Sequence, residues 1–358
     1  MLRHSGLQEN EVQVHNVVID KEGNYIRTYE IMVVLHGYGG SSIMYYKCMK
    51  ALSEKYHIYF LDILGMGASS RPLWTNKTPE QALEYMVEWI EVWRQTMGDL
   101  RGFILAGHSF GGYLSGHYTL KNKKYVKKLF LLSPFGVPKR DFTDEEFADR
   151  YEEYLTKAGP RAPPKFAFKV SRKVWTNQWS PFGMLRKSPR CFQNYILNRY
   201  VRRRIGGDLS PEELLDYKEY MRMTLLRKGS TEYALFALFD HYCYSKLPLD
   251  DVGKLPTLDI PVSFMYGDRD WMKRVGEHDC LKDNPFKGLH SHYHTLENSD
   301  HNLFLDNAQG FIDLVMADLH NLEQLECPWL ELRDQQYRQE SIHEENAQGP
   351  VLLQQQIC

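Results

Sequence analysis

The sequence predicts an α/β protein, with a mostly parallel, doubly wound central sheet and a helical insertion over its carboxyl edge. Three observations predict it. Short apolar runs of buried-strand type at 31–35, 58–62, 102–106, 129–134 and 260–271 alternate with helical periodicity at 44–55, 79–97, from 112 to about 124, and 308–320. One strand-to-helix corner reads Gly107-His108-Ser109-Phe110-Gly111. Between 136 and 256 the rhythm breaks, giving way to helical, aromatic-rich sequence with prolines at 160, 163, 164, 181, 189 and 211. In 358 residues, 43% hydrophobic and 13% aromatic, there is material for one large domain with an insertion.

Taken in order, 12–18 and 25–30 read as extended stretches. The run 31–35, rich in β-branched residues and stopped by His36-Gly37, suits a strand buried on both faces. Tyr38-Gly39-Gly40-Ser41-Ser42 follows directly, and a glycine-rich turn there lets backbone N–H groups face a site. A phosphate loop would need Gly-Lys-Ser/Thr next, which is missing. The helix 44–55 leads to the strand 58–62, and 64–72 (Leu-Gly-Met-Gly-Ala-Ser-Ser-Arg-Pro) is too rich in turn residues to be anything but a loop.

At the corner, glycines two residues either side of Ser109 permit a strained backbone that lifts the serine above the sheet. The hydroxyl then sits at a helix N-terminus, where N–H groups and the helix dipole favour an anionic oxygen. That setting suits a nucleophile; the plainer reading is a glycine-rich connection with an exposed serine. After the insertion, 260–271 ends in Gly267-Asp268-Arg269-Asp270-Trp271, which places a carboxylate where ligands gather in open α/β sheets. Asp270 is the preferred acid and Asp268 the alternative; a turn-forming Asp pair is the structural explanation.

Of the nearby histidines, His290, His292 and His294 fall at alternate positions in or near a short strand, with no carboxylate or thiolate at metal-ligand spacing. His301 follows the turn Glu297-Asn298-Ser299-Asp300 and precedes the last helix, where a general base belongs. The order Ser109, Asp270, His301 is that of the α/β-hydrolases, and in such a site the amides of Tyr38 and Phe110 serve as oxyanion donors. This chemistry calls for no cofactor and no metal.

Formal net charge is −2, which gives no bulk attraction to nucleic acid. The charge is nonetheless polarised: 154–207 holds 13 basic and no acidic residues, which leaves −15 on the rest. Interleaved with Phe166, Phe168, Trp175, Trp179, Phe182 and Phe192, these cations read as a solvated helical face or as a surface for anionic lipid headgroups. Nucleic-acid binding is a distant third, because no recognition motif accompanies them. Six cysteines without a C-x-x-C pair, no secretory signal and no membrane-length apolar run predict a cytoplasmic protein. It is expected to meet membranes, lipid droplets or mitochondria from the aqueous side. The expected organisation is core over 10–135, helical cap over 136–256, core again over 257–322, and a polar, Gln-rich, mobile tail over 323–358.

Five motifs in order carry a family resemblance: His36-Gly-Tyr-Gly-Gly40, the loop 64–72, Gly107-His-Ser-Phe-Gly-Gly-Tyr113, Tyr266-Gly-Asp-Arg-Asp-Trp-Met272 and His301-x4-Asp306. Over residues 10–322 the chain resembles the lipid-acting α/β-hydrolase-domain subfamily. That group includes the coactivator of adipose triglyceride lipase, N-acyl phospholipase B enzymes, plant lysophosphatidate acyltransferase-like hydrolases and fungal cardiolipin deacylases. The resemblance implies a serine hydrolase acting on acyl ester or N-acyl bonds of phospholipids or lysophospholipids. It implies, as alternatives, a lysophosphatidic acid acyltransferase using the same site, or a non-catalytic lipid-binding regulator of another lipase. The coactivator carries asparagine at the elbow, whereas Ser109 keeps catalysis open here. The resemblance also matches His301 and Asp306 to a signature credited with acyl transfer; the plainer expectation is that Asp306-Asn307 caps the last helix. A small-ester hydrolase remains possible on the same fold, while an epoxide hydrolase would need a nucleophilic aspartate at 109.

Overall fold

The computed structural model describes residues 4–7, 14–18, 21, 25–30, 33–143, 145–146, 165–204, 209–251, 254–273, 284, 287 and 290–324. Strands β1 (Val14–Val18) and β2 (Tyr25–Glu30) form an antiparallel edge. The short, buried runs expected from sequence become β3 (Val33–Leu35), β4 (Tyr59–Leu61), β5 (Phe103–His108), β6 (Val126–Leu132) and β7 (Val262–Gly267), with β8 (Tyr293–Leu296) at the far side. The sheet order is β1-β2-β4-β3-β5-β6-β7-β8, and the six strands from β4 to β8 are parallel. Because parallel strands need crossovers on both faces, β3, β5, β6 and β7 are buried on both sides, which explains their unbroken apolar character.

Helix α1 (Tyr46–Ser53) continues a 3-10 turn over Ser42–Tyr45. Helix α2 (Pro79–Thr96) starts where the Thr78 hydroxyl accepts from the Gln81 amide, with Pro79 at the first helical position, and it buries Ala82, Met86, Ile90 and Trp93 along one stripe. Helix α3 (Phe110–Asn122) begins two residues before the expected start at 112. The reason is the corner itself: Ser109 is the non-helical cap, so the next residue is already in the helix.

Among the described residues, five α-helices with stated bounds fall between β6 and β7: α4 (Lys165–Thr176), α5 (Pro181–Lys187), α6 (Arg190–Arg204), α7 (Pro211–Leu225) and α8 (Ala234–Leu238). Pro181 and Pro211 open helices rather than break them. Ser180 caps the Gly183 amide, and Ser210 with Glu213 forms a reciprocal capping box. Helix α9 (Leu303–Asp306) and α10 (Ala308–Gln324) close the described chain. Met1–Met316 make one unit; of the second, Ala317–Cys358, residues 317–324 are described, so the expectation of a mobile tail lies outside the described residues. No helix among the described residues is long and apolar enough to cross a membrane.

Candidate active site

Ser109 stands between β5 and α3 at φ 53° and ψ −115°, a left-handed conformation that costs a side-chain-bearing residue on the order of 1–3 kcal/mol. It is held there by backbone bonds: its N–H donates to the Leu132 carbonyl at 2.9 Å, and its carbonyl accepts from Tyr113 and Phe135 at 3.1 and 3.0 Å. The flanking glycines are required by contact. A Cβ on Gly107 would lie 2.4 Å from the Gly111 carbonyl oxygen, and one on Gly111 would lie 2.4 Å from that of His36.

The loop after β3 turns back when the Gly40 N–H donates to the Gly37 carbonyl at 3.0 Å, which leaves the Tyr38 amide outside the turn's hydrogen bond. The Phe110 amide is the first of α3 and has no intrahelical acceptor. Among the described residues neither amide donates to a protein group. His36 fixes the loop. Its Nε2 accepts from the Ile63 amide at 2.9 Å, so its Nδ1–H donates to the Gly37 carbonyl at 2.7 Å. Burial lowers its pKa and, despite nearby Asp62, keeps the ring neutral. The fully buried Asp62 carboxylate accepts from the Ser42 amide, the Ser42 hydroxyl and the Ala68 amide at 2.6, 2.8 and 2.7 Å, joining the loops after β3 and β4.

Asp270 and His301 come together from the two loops beyond β7 and β8. His301 Nδ1 lies 3.2 Å from Asp270 Oδ1 and 3.4 Å from Oδ2. Burial opposes ionisation of the Asp270 carboxyl, but hydrogen bonding and charge from His301, with the bond from the Met272 amide, hold its pKa below the usual carboxylate range. Asp268 faces elsewhere: its carboxylate accepts from the Ser299 amide at 2.9 Å. The loop carrying His301 lies tight on the sheet, for a Cβ on Gly267 would meet the carbonyl oxygens of Ser299 and Asp300 at 2.3 and 2.4 Å.

His108, the residue before the serine, donates from Nε2 to the His301 carbonyl at 2.8 Å, and the two rings stand 4.7 Å apart. Burial, and the charge His301 would carry, push its pKa down to about 3. Ser109 and His301 are thus brought to the same edge, although no hydrogen bond joins the serine hydroxyl to the imidazole in this structure. Catalytic hydrogen bonds are often long before substrate binds.

The pair Asp306-Asn307 does supply the cap of the last helix, through its second residue. Asn307 caps α10, its Oδ1 accepting from the Gly310 amide at 3.0 Å, whereas Asp306 Oδ2 accepts from the Asp300 amide at 3.0 Å. The Asp300 carboxylate in turn accepts from the His301 amide at 2.8 Å, so Asp306 acts on the backbone beneath the histidine. Burial, with the Asp300 charge, raises the Asp306 pKa to about 6 against the Asp300 and Asn302 amides.

An apolar cavity of about 580 Å³ opens from Tyr38 and Gly39 between α5, α6 and α7, walled by Phe182, Leu185, Ile196 and Met221 among others. Phe182 stacks on Tyr38 at 5.2 Å, and the Tyr38 hydroxyl donates to the Glu232 carbonyl at 3.2 Å. Arg186 holds the Glu232 carboxylate through two bonds of 3.0 and 2.6 Å. Sequence reasoning missed His36, Asp62, His108 and this cavity. Among the described residues no His/Cys/Asp/Glu cluster could hold a metal ion.

The family model of the alpha/beta hydrolase fold matches residues 30–308, and the chain belongs to that family. Within it, the relatives bear out the resemblance to lipid-acting members. The chain is 29% identical to a probable 1-acylglycerol-3-phosphate O-acyltransferase of Oryza sativa subsp. japonica, over 83% of this chain and 68% of that protein. It is 30% identical to the 1-acylglycerol-3-phosphate O-acyltransferase of Arabidopsis thaliana, over 80% and 65%. It is 30% identical to the human (lyso)-N-acylphosphatidylethanolamine lipase, over 74% and 71%. The chain thus spans about two thirds of the length of these curated relatives. Among solved structures, a bacterial membrane phospholipase A superposes with a TM-score of 0.60 at 19% identity, over 88% of this chain and 87% of that one; it shares the fold.

Proposed function

We propose that the protein is a serine hydrolase acting on acyl ester or N-acyl bonds of phospholipids or lysophospholipids, with Ser109 as nucleophile, His301 as general base and Asp270 as the acid that orients it. The observation that carries this reading is the strained serine at the strand-to-helix corner, beside two unused amides and the Asp270–His301 pair. His301 Nε2 takes the hydroxyl proton as Ser109 Oγ attacks the acyl carbonyl. The amides of Tyr38 and Phe110 then hold the tetrahedral oxyanion, each worth about 3–4 kcal/mol in such sites. The intermediate collapses when His301 passes the proton to the leaving alcohol or amine, leaving an acyl-enzyme. Water activated by the same histidine frees the fatty acid.

A second reading replaces water by the hydroxyl of a lysophospholipid such as lysophosphatidic acid, and the printed names of the plant relatives favour it. The cavity beside Tyr38 and Gly39 suits the acyl chain in either case, being apolar and within the usual size for a ligand site. The basic, aromatic cap suits peripheral contact with an anionic membrane or lipid-droplet surface. Asp306 serves as a positioning residue in this reading and carries no proton in the reaction. A fluorophosphonate probe tests the assignment: a covalent adduct on the Ser109 peptide is expected. A folded protein that stays unlabelled, or is labelled elsewhere, contradicts it and leaves the lipid-binding regulator.

A further inference from the structure

Among the described residues, eight of the ten large apolar side chains that stand exposed lie between 170 and 223, on the helices inserted between β6 and β7 or, for Trp179, on the connection between two of them. Along α6, Phe192, Tyr195, Arg199 and Arg202 are all exposed and follow one another at steps of three, four and three, which puts them on one stripe. The adjoining side of the same helix, through Ile196, Leu197 and Tyr200, walls the cavity. Phe192, Tyr200 and, on α5, Met184 belong to both: they line the cavity and are 49%, 42% and 47% exposed, so they form its rim.

Charge gathers on the same inserted helices. Arg172, Lys173, Lys187 and Arg202 are exposed, and none is paired with a carboxylate among the described residues. Carboxylates of the neighbouring helix α7 have partners of their own: Glu213 accepts from Tyr46 and Ser210, Asp216 pairs with His4, and Glu219 with Arg222. The same face of a second copy would bring cations against cations, and its exposed apolar side chains would gain from a bilayer what a polar face elsewhere on the chain does not offer. Duplex nucleic acid would match the charge, but its bases are already stacked on one another and gain nothing from exposed Met184, Phe192 and Tyr195. A bilayer with anionic headgroups matches both properties.

We propose that this face is the docking surface for an anionic bilayer, seated with the α5–α6 rim at headgroup level, so that an acyl chain passes from the bilayer into the cavity without crossing water. The entry route rests on the reading of the cavity as the acyl site; the docking does not. The test is liposome flotation of the Ser109→Ala protein, which leaves the lipids unaltered, on phosphatidylcholine vesicles with and without phosphatidylserine. Binding is expected with phosphatidylserine and is expected to weaken about thirtyfold in Arg199→Gln/Arg202→Gln, since each basic residue near such a surface is worth about fivefold in affinity and the two factors multiply. Tyr195→Ser is expected to weaken binding as well. With Ser109 restored, the same variants should turn over a soluble short-chain ester at the wild-type rate while losing turnover of vesicle phospholipid. Binding that ignores phosphatidylserine or these substitutions overturns the proposal. So does a preference for duplex DNA at matched salt, or self-association abolished by Tyr195→Ser. Intact binding without Ser109-dependent turnover sinks the hydrolase reading alone.

Discussion

Replacing Asp270 by asparagine isolates the charge that the site supplies to His301. The Met272 amide donates to Asp270 Oδ1 at 2.9 Å, and the same oxygen faces His301 Nδ1 at 3.2 Å. That amide holds the asparagine oxygen in place of Oδ1, so Asp270→Asn keeps an acceptor for Nδ1–H and loses the negative charge. Two unit charges 3.2 Å apart attract by about 5 kcal/mol at an effective dielectric of about 20. At about 1.4 kcal/mol per tenfold, losing that stabilisation of the imidazolium lowers kcat by about 10³- to 10⁴-fold. The assay is hydrolysis of a chromogenic ester, with circular dichroism to verify folding. Asp268→Asn is the control: its carboxylate faces the Ser299 amide, and a loss of no more than about threefold is expected, as for an exposed charge. A fall within tenfold for Asp270→Asn, or an equal fall for Asp268→Asn, refutes the reasoning.

Three further predictions concern the pocket and the titrating groups. Ile196→Trp, which fills the cavity wall, should lower kcat/KM for long-chain esters by at least about tenfold and spare short-chain ones, as steady-state kinetics across chain lengths would show. Asp306 binds its proton more tightly when folded, with a pKa of about 6 against an ordinary 3.8, so its contribution to stability falls as pH rises through that window. Asp306→Asn removes the titration; its urea midpoint relative to wild type should therefore rise from the acid to the neutral side, and parallel curves would contradict this. His117 runs the other way. Burial, with the Lys254 charge, lowers its pKa from 6.5 to about 3, so the wild type loses stability as pH falls through that range, and His117→Gln should lose less.

The sheet was legible because each parallel strand is a short apolar run closed by turn residues, and the elbow because its glycines answer local contacts. What escaped was tertiary. His108 acts on a carbonyl 193 positions away, and His36 on an amide 27 positions away, so neither leaves a local pattern. The cavity wall is gathered from the 38–39 turn and three helices, none of which marks its inner face by sequence alone. Two acids on one loop were separable only by register: the Asp268 amide still pairs with Leu296 at the end of β8, which turns its carboxylate to Ser299 and leaves Asp270 to reach His301. The pair Asp306-Asn307 was legible as a cap because a helix follows, but only the structure shows that Asn307 takes that role while Asp306 turns to the Asp300 amide.

Mass spectrometry of a mixed phospholipid and lysophospholipid extract, incubated with wild type and with Ser109→Ala, tests the central claim most directly. Free fatty acid with lysolipid, or new diacyl species at the expense of lysolipid, should appear with wild type alone; the first product set means hydrolysis and the second means transfer. Identical lipid profiles from the two proteins would contradict a nucleophilic Ser109.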